Sequence, residues 1–144
     1  MIFPIATKES GQSLMLPPDV CFIPAPPPPA GPGGIPIPFP NMGMHMQATK
    51  TTTKVYIRKK HCLVEGSEIP MSKLDEPGMG PNAPTIKGLI SKKNMAKVVF
   101  KKHSGKVKMQ GKGVIFHTVP TMHNANNNPG MHSVPSQTQV FAAP

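Results

Sequence analysis

The chain has 144 residues and a formal net charge of +10, from 16 basic and 6 acidic side chains. This length leaves room for one small domain and excludes a two-domain enzyme. The 20 prolines and 13 glycines exclude a helical bundle, and the low aliphatic and aromatic content excludes a large core. Such a chain folds with help from short strands, rigid turns, a metal or a partner surface.

The first forty residues contain twelve of the 20 prolines. Each proline fixes φ and lacks a backbone N–H, so the run at 24–40 cannot form a helix or an inner strand. Within this run Ile35, Ile37 and Phe39 alternate with prolines, which places their side chains on one side of an extended segment. We predict an extended proline-rich arm that packs against the domain.

From residue 50 onward, short runs rich in β-branched residues alternate with turn signals. The pattern Lys-Val-x-Ile-x-x-Lys-x-Cys-Leu at 54–63 returns as Lys-Val-x-Met-x-x-Lys-x-Val-Ile at 106–115, an offset of 52 residues. Each copy predicts a strand, a tight turn and a second strand, and each is too short for a helical stripe. Residues 75–82 read as a loop, and the Asn-rich segment near 124–130 as a sharp corner.

These patterns predict a mainly β fold: a small compact cone of short strands and hairpins, with the proline-rich arm and long loops. We expect an N-terminal segment at 1–16, a domain at 17–132 and a flexible, dispensable tail at 133–144. Within the domain, the arm covers 17–49, the β units 50–116 and the C-terminal corner 117–132.

The charge is concentrated in the middle of the chain: residues 50–112 carry +11, residues 1–49 carry −1 and residues 113–144 carry none. A basic block of this kind fits a solvated surface, an anionic membrane or a nucleic acid. There is a single Arg, a single Tyr and no Trp, so base stacking and guanine reading are poorly supported. A basic, partly disordered nucleic-acid-binding protein stays the main alternative. In our preferred interpretation the chain binds no specific nucleic acid.

The beginning of the chain shows no basic segment followed by a 7–15-residue apolar stretch, so we expect no signal peptide. The protein is therefore expected to be made in the cytoplasm and to leave it only through a dedicated machine. A disulfide between the two cysteines is not expected there.

Several motifs in order resemble the PAAR-like spike-tip proteins of contractile injection systems. They are Pro18-Asp19-Val20-Cys21, Ile35-Pro36-Ile37-Pro38-Phe39-Pro40-Asn41, Lys54-Val55-x-Ile57, Gly66-Ser67-x-Ile69-Pro70-x-Ser72, Asp75-Glu76-Pro77-Gly78, Val107-x-Met109-x-Gly111-Lys112-x-Val114 and Met122-His123-Asn124. Arg58-Lys59 replaces the family's usual glycine in the first turn, and four prolines lengthen the arm. We expect a stand-alone tip without an effector domain after the tail.

The resemblance implies a tip that caps and sharpens the homotrimeric spike of a type VI secretion system or a phage-tail-like particle. It implies one tip chain per spike trimer, an effector cargo as a further partner, and transient contact with the target membrane during puncture. The β units would dock on the spike through Val55, Ile57, Val107 and Met109. A three-fold base needs three similar edges, and the third candidate is the run at 98–100.

The resemblance also implies one structural zinc ion per chain, since zinc bound by His and Cys is common in the wider PAAR group. Cys21 and His123 match the family's Val-Cys and His-Asn positions, and His117 and His45 complete the proposed set. Cys thiolates and neutral imidazoles are natural zinc ligands, but no local zinc-finger spacing is present. Surface histidines and a buried thiol without metal stay open as the alternative.

Two other kinds of chemistry have weaker support. Met42, Met44 and Met46 around His45 are soft ligands that suit Cu(I), although methionines at this spacing also serve as adaptable packing. For catalysis the sequence offers no nucleophile motif, no phosphate-binding loop and no carboxylate pair with a reason to be buried. We therefore predict that the chain is not an enzyme.

Overall fold

A computed structural model of the chain describes residues 1–16, 18–23, 35–74 and 87–144. These residues form fifteen short strands and one 3₁₀ turn, His45–Gln47, so the predicted mainly β fold is confirmed. The strands in chain order are β1 (Phe3–Pro4), β2 (Gln12–Met15), β3 (Asp19–Ile23), β4 (Ile35–Phe39), β5 (Met42–Met44), β6 (Tyr56–Ile57), β7 (Lys60–His61), β8 (Glu68–Ile69), β9 (Lys87–Gly88), β10 (Val98–Phe100), β11 (Lys108–Met109), β12 (Lys112–Gly113), β13 (Pro120–His123), β14 (Asn128–Val134) and β15 (Phe141–Ala142).

The largest sheet has six antiparallel strands in the order β5-β2-β14-β13-β10-β8. The run at 98–100, named above as a third docking edge, is β10 and lies inside this sheet. It is therefore not a third copy of the hairpin unit.

The proline-rich arm contributes β4, which pairs with β3 over five residue pairs from Asp19↔Phe39 to Ile23↔Ile35. Strand β9 pairs with the other edge of β3. The predicted extended segment is thus a paired strand over 35–39, with Ile37 and Phe39 half-buried and Pro36 and Pro38 exposed. The earlier part of the arm, at 24–34, and the predicted loop at 75–82 lie outside the described residues.

The repeated units form two hairpins, β6–β7 and β11–β12. Their two-residue turns, Arg58-Lys59 and Gln110-Gly111, all have positive φ values, of 53°, 63°, 52° and 78°. Two successive residues with positive φ match the twist of the flanking strands, as in a type I′ turn. Arg58 and Lys59 therefore adopt the geometry that glycine usually supplies.

A third pair of strands repeats the same pattern without a turn between them. Strands β15 and β1 pair antiparallel, with Phe3 opposite Ala142. Phe3 precedes Ala6 by three residues, as Lys60 precedes Leu63 and Lys112 precedes Ile115. The β15–β1 pair is therefore the third copy.

The three copies join in a closed ring of backbone hydrogen bonds. The N–H of Ala6 donates to the carbonyl of Ile115 (2.8 Å), Ile115 donates to Leu63 (3.0 Å), and Leu63 donates to Ala6 (2.9 Å). A second set of bonds runs around the copies in the opposite direction: the N–H of Lys8 donates to the carbonyl of His61 (2.9 Å), Glu65 donates to Gly113 (2.8 Å) and His117 donates to Pro4 (2.8 Å). The chain thus has pseudo-three-fold symmetry at this end, which we call the three-fold end.

Apolar side chains pack on both sides of the ring. One cluster contains Ala6, Leu63 and Ile115 together with Ile69 and Val98 of the six-stranded sheet. The other contains the preceding residue of each copy, with the inner residues of the hairpins: Ile5, Cys62, Val114, Ile57 and Ala142. Successive residues of an extended segment point to opposite sides, so the ring separates the two apolar layers.

The ends of the chain correct the predicted boundaries. Ser136, Gln137 and Ala142 are buried, and Gln137 Nε2 donates to the carbonyl oxygens of Ile5 (2.8 Å) and Val140 (2.7 Å). Residues 133–144 are thus packed rather than a flexible tail, and residues 5–7 of the predicted separate segment form one side of the ring. Both corrections have one cause, since these segments complete the third copy.

Candidate functional site

The predicted docking residues occupy matching positions in two of the three copies. Ile57 is 6% exposed and packs in the second apolar cluster, with Val107 and Met109 at its margin. Val55 is half-buried. The third copy supplies Val140 and Ala142 at the positions of Val55 and Ile57 by the same strand register.

The outward-facing side chains of the first hairpin strands form an exposed set. Tyr56 is 52% exposed and Phe141 is 43% exposed, and Lys108 holds the equivalent exposed position in the remaining copy. Sequence reasoning missed Phe141 because its partner strand lies at the other end of the chain. These three side chains, unlike Ile57, are available for contact with another protein.

A polar residue three positions before each strand valine holds the loop that enters the hairpin. The Oγ of Ser104 accepts from the N–H of Val107 (2.9 Å), and Oε1 of Gln137 accepts from Val140 (2.8 Å). In the first copy the hydroxyl of Thr52 donates to the carbonyl of Val55 (2.6 Å). The spacing of a polar residue and Val at 52/55, 104/107 and 137/140 is a sequence signal for the third copy.

Charge divides the three copies into two kinds. Seven exposed cations lie on or beside the two closed hairpins: Lys54, Arg58, Lys59, Lys60, Lys106, Lys108 and Lys112. Arg58 pairs with Glu9 at 3.0 Å. The β15–β1 copy, by contrast, has no charged residue in either strand. The three-fold symmetry of the backbone is therefore not matched by its surface charge.

Asp19 lies at the centre of a buried polar cluster. Its carboxylate accepts from the side-chain amides of Asn41 (3.1 Å) and Asn124 (3.1 Å), from that of Asn127, and from the thiol of Cys21. Burial raises the pKa of Asp19, and these hydrogen bonds oppose that shift. We call these residues the Asp19 cluster.

His123 joins the Asp19 cluster through Asn41. Its Nδ1 lies 2.7 Å from Asn41 Oδ1, and its Nε2 lies 3.0 Å from Thr121 Oγ1. Burial lowers the pKa of His123 to about 4, so the ring is neutral at pH 7. Cys21 and His123, predicted to lie close together, are thus linked by hydrogen bonds that run through Asp19 and Asn41.

The other two predicted ligands lie in a separate histidine cluster. The rings of His45 and His132 have centroids 4.2 Å apart, and those of His117 and His132 are 5.2 Å apart. His45 Nε2 bonds with Ser13 Oγ at 3.0 Å, while the Nδ1 atoms of His45 and His117 have no hydrogen-bond partner among the described residues. Sequence reasoning missed His132, since only the pairing of β14 brings it to this place.

Burial governs the titration of the histidine cluster. It lowers the pKa of His45 well below the usual value and that of His132 to about 4, and neighbouring histidines add to both shifts. Both ring nitrogens of His132 face carbonyl oxygens, of Phe116 (3.1 Å) and Val134 (3.2 Å). A neutral ring carries one N–H, so it satisfies one of these carbonyls at a time.

The four predicted zinc ligands do not form one group in this structure. Over the described ranges, which contain all four, no three His, Cys, Asp or Glu side chains are placed to hold a metal ion. His123 already has a partner at each nitrogen, so as placed these residues do not fit a zinc centre. The zinc site stays a prediction, to be checked by elemental analysis of the protein and of Cys21→Ser.

The methionine segment around His45 also divides between inside and outside. His45 is fully buried, whereas Met46 is 55% exposed. Met42 and Met44 alternate with buried Gly43 along β5. The copper alternative stays a prediction without a converging set of side chains.

No helix in the part of the chain that the structure describes is long and apolar enough to cross a membrane. No solved structure gives a significant match to the chain. A curated relative, the DNase toxin Tse7 of Pseudomonas aeruginosa, is 38% identical over 123 residues. That alignment covers 84% of this chain and 30% of the relative, so the chain spans less than a third of the toxin's length.

The sequence pattern of a known domain family matches residues 12–130. The match covers the arm, both closed hairpins and the corner at His123-Asn124, which carry the motifs that resemble PAAR-like proteins. The chain belongs to the Tox-PAAR-like family, the toxin PAAR-like domain.

Proposed function

We propose that this chain is the tip of a contractile injection system, of the type VI or phage-tail-like kind, which caps a homotrimeric spike and helps it through a target membrane. Membership in the Tox-PAAR-like family supports a spike-associated role. The tip would leave the cell as part of the machine. Whether the machine is a type VI secretion system or a phage-tail-like particle stays open, because tips of both kinds share these motifs.

The ring formed by Ala6, Leu63 and Ile115 is the observation that carries this proposal. A homotrimer presents three identical edges around its axis. A single chain can meet all three only if it offers three similar edges of its own, and the three hairpin copies do so. We therefore propose one tip chain per spike trimer, with the hairpins at the contact.

The relative's name gives the second part of the proposal. Tse7 is a DNase toxin, and the chain aligns with 30% of it. The family match assigns residues 12–130 of this chain to a PAAR-like domain. We propose that the chain itself has a mechanical and not a nuclease role, and that an effector is the cargo it accompanies.

Native mass spectrometry of the chain mixed with a homotrimeric spike protein of the same organism tests the docking. We expect one chain per trimer. Replacing the exposed set with acid (Tyr56→Asp, Lys108→Asp, Phe141→Asp) should abolish the complex, while circular dichroism stays unchanged because these side chains are exposed. Ile90→Asp, at a residue 71% exposed outside the hairpins, is the matched control.

Removal of 137–144 is a further test, and the structure reverses its expected result. A flexible tail would be dispensable for docking. Because β15 supplies the third copy, its removal should weaken spike binding. Three chains per trimer, or full binding by the folded triple variant, would refute the docking model.

A further inference from the structure

The six-stranded sheet has an unusual distribution of polarity between its two faces. The face toward the interior carries the buried polar residues Ser13, Thr121, His123 and His132 beside the apolar Ile69 and Val98. In an antiparallel sheet with one solvated face, the inner face is normally apolar and the outer face polar. Here the inner polar groups are held by the Asp19 and histidine clusters, and the outer face must be considered separately.

The outer face is almost entirely apolar. The register places eleven strand residues there, and only Gln12 and Glu68 are polar; the other nine are Leu14, Met42, Met44, Val99, Pro120, Met122, Pro129, Met131 and Val134. Leu14 is 36% exposed and Val134 is 41% exposed. Pro120 and Pro129 are also exposed, and the other five apolar residues are half-buried. We call this surface the methionine face.

Cross-strand pairing places a row of apolar residues on the methionine face between two lysines. Met42 is opposite Leu14, Leu14 is opposite Met131, and Met131 is opposite Pro120. At one end of this row Lys73 pairs with Met42, and at the other the N–H of Lys101 donates to Pro120 at 2.9 Å. The row therefore consists of four apolar residues between two lysines.

The dimensions of the row suit a flat partner. Six neighbouring strands or segments with a spacing of about 4.8 Å span about 24 Å. A contiguous, partly exposed apolar stripe of this length is typical of an interaction site. Methionine side chains adapt to irregular apolar surfaces, and lysines at the margin can extend their ammonium groups away from the apolar stripe.

We propose that the methionine face binds the surface of an anionic phospholipid bilayer, with its apolar residues at the level of the acyl chains and Lys73 and Lys101 on lipid phosphates. Charge complementarity favours lipid: both margins of the row are cationic, and Glu68, the acid at the sheet edge, is paired with Lys50 (2.8 Å) and Lys97 (3.6 Å). This inference deepens the proposed function by assigning its membrane contact to a surface distinct from the three-fold end.

The absence of tryptophan from the sequence permits a clean test. Leu14→Trp places one reporter on the methionine face, and Tyr56→Trp places one at the three-fold end, at a residue that is also exposed. Each variant is mixed with phosphatidylcholine vesicles with or without one quarter phosphatidylglycerol. We expect a blue shift of the Leu14→Trp emission with the anionic vesicles alone, and no shift for Tyr56→Trp.

Binding itself is measured by vesicle flotation of the unlabelled chain. Leu14→Gln combined with Met131→Gln should lower the apparent affinity for anionic vesicles at least tenfold, and Lys73→Gln with Lys101→Gln should do the same. Lys59→Gln with Lys60→Gln removes the same charge from a hairpin and should change it less than twofold. Thermal melting of each variant separates loss of binding from loss of folding.

Three results would overturn this proposal. One is a shift of Tyr56→Trp without a shift of Leu14→Trp, which would assign lipid binding to the basic hairpins. Another is unchanged binding by folded Leu14→Gln/Met131→Gln. The third is a Leu14→Trp shift on addition of the spike trimer and not of vesicles, which would make this face a protein-binding surface. The vesicle assay contains no spike protein, so its failure leaves the docking result independent.

Discussion

The three-fold end and the six-stranded sheet, which share a small core, are stabilised in different ways. At the three-fold end, apolar residues point inward to a shared cluster and cations point outward. In the sheet, the inward face combines the apolar Ile69 and Val98 with buried polar residues such as His123 and His132, and methionines lie on the outer face. One end is ordered by backbone bonds around an axis, and the other by a buried network of side chains.

This difference shows where each region obtains its stability. The ring needs only backbone groups, so its copies can differ in sequence as widely as Ala6, Leu63 and Ile115 do. The sheet interior needs particular side chains, because a buried polar group without a partner costs about 1–3 kcal/mol. We therefore expect substitutions in the sheet interior to be the more damaging.

The largest effect is expected from Asp19→Ala. It leaves the amides of Asn41, Asn124 and Asn127 without their shared acceptor. Loss of one member of a buried network of this kind costs about 4 kcal/mol of unfolding free energy. Urea denaturation measures it, with the exposed Glu65→Ala as control. A change below that of the control would show that the Asp19 cluster does not hold the sheet.

Leu63→Ala tests the three-fold end by packing alone. Leu63 is fully buried, and its backbone bonds to Ala6 and Ile115 survive the change. The lost contacts and the cavity should cost about 3 kcal/mol. Leu89→Ala, at a residue 44% exposed, removes the same atoms and should cost far less. Equal shifts in the two denaturation midpoints would contradict the assignment of Leu63 to the core.

The buried histidines of the six-stranded sheet, His123 and His132, should make the stability of the folded chain depend on pH. The folded pKa values of His123 and His132, about 4, lie below the usual 6.5. Between these values the unfolded chain binds more protons than the folded chain, so stability is fully present above pH 6.5 and falls as pH drops toward 4. From pH 7.5 to 5.5 the loss should be about 1.4 kcal/mol for each histidine.

Denaturation at the two pH values, with a chelator present throughout, measures this loss. In His132→Gln one histidine's share of the pH dependence should disappear, while the share of His123 remains. A stability that is flat from pH 7.5 to 5.5 would contradict the buried, neutral state of these rings.

The sequence predicted the local parts of the fold well. The two hairpins follow from a ten-residue repeat, and the packed Ile-Pro strand follows from its alternation, because both are set by neighbours in sequence. Cys21 and His123 were predicted as zinc ligands from their family positions; they lie in one hydrogen-bonded cluster, and the zinc site stays a prediction. The separation of His45 and His117 from them was not predicted.

A small, mainly β chain with a proline-rich arm, two basic hairpins and a resemblance to the PAAR-like family could be predicted from the residues alone. The place of the third copy, the meeting of the histidines and the face of the sheet that carries the methionines depend on the folded chain. These features depend on partners far apart in sequence: the N–H of Thr7 donates to the Oγ of Ser136, 129 residues away, and β1 pairs with β15. Pairings at that distance leave no local pattern, because they are selected by the closure of the ring and the burial it permits.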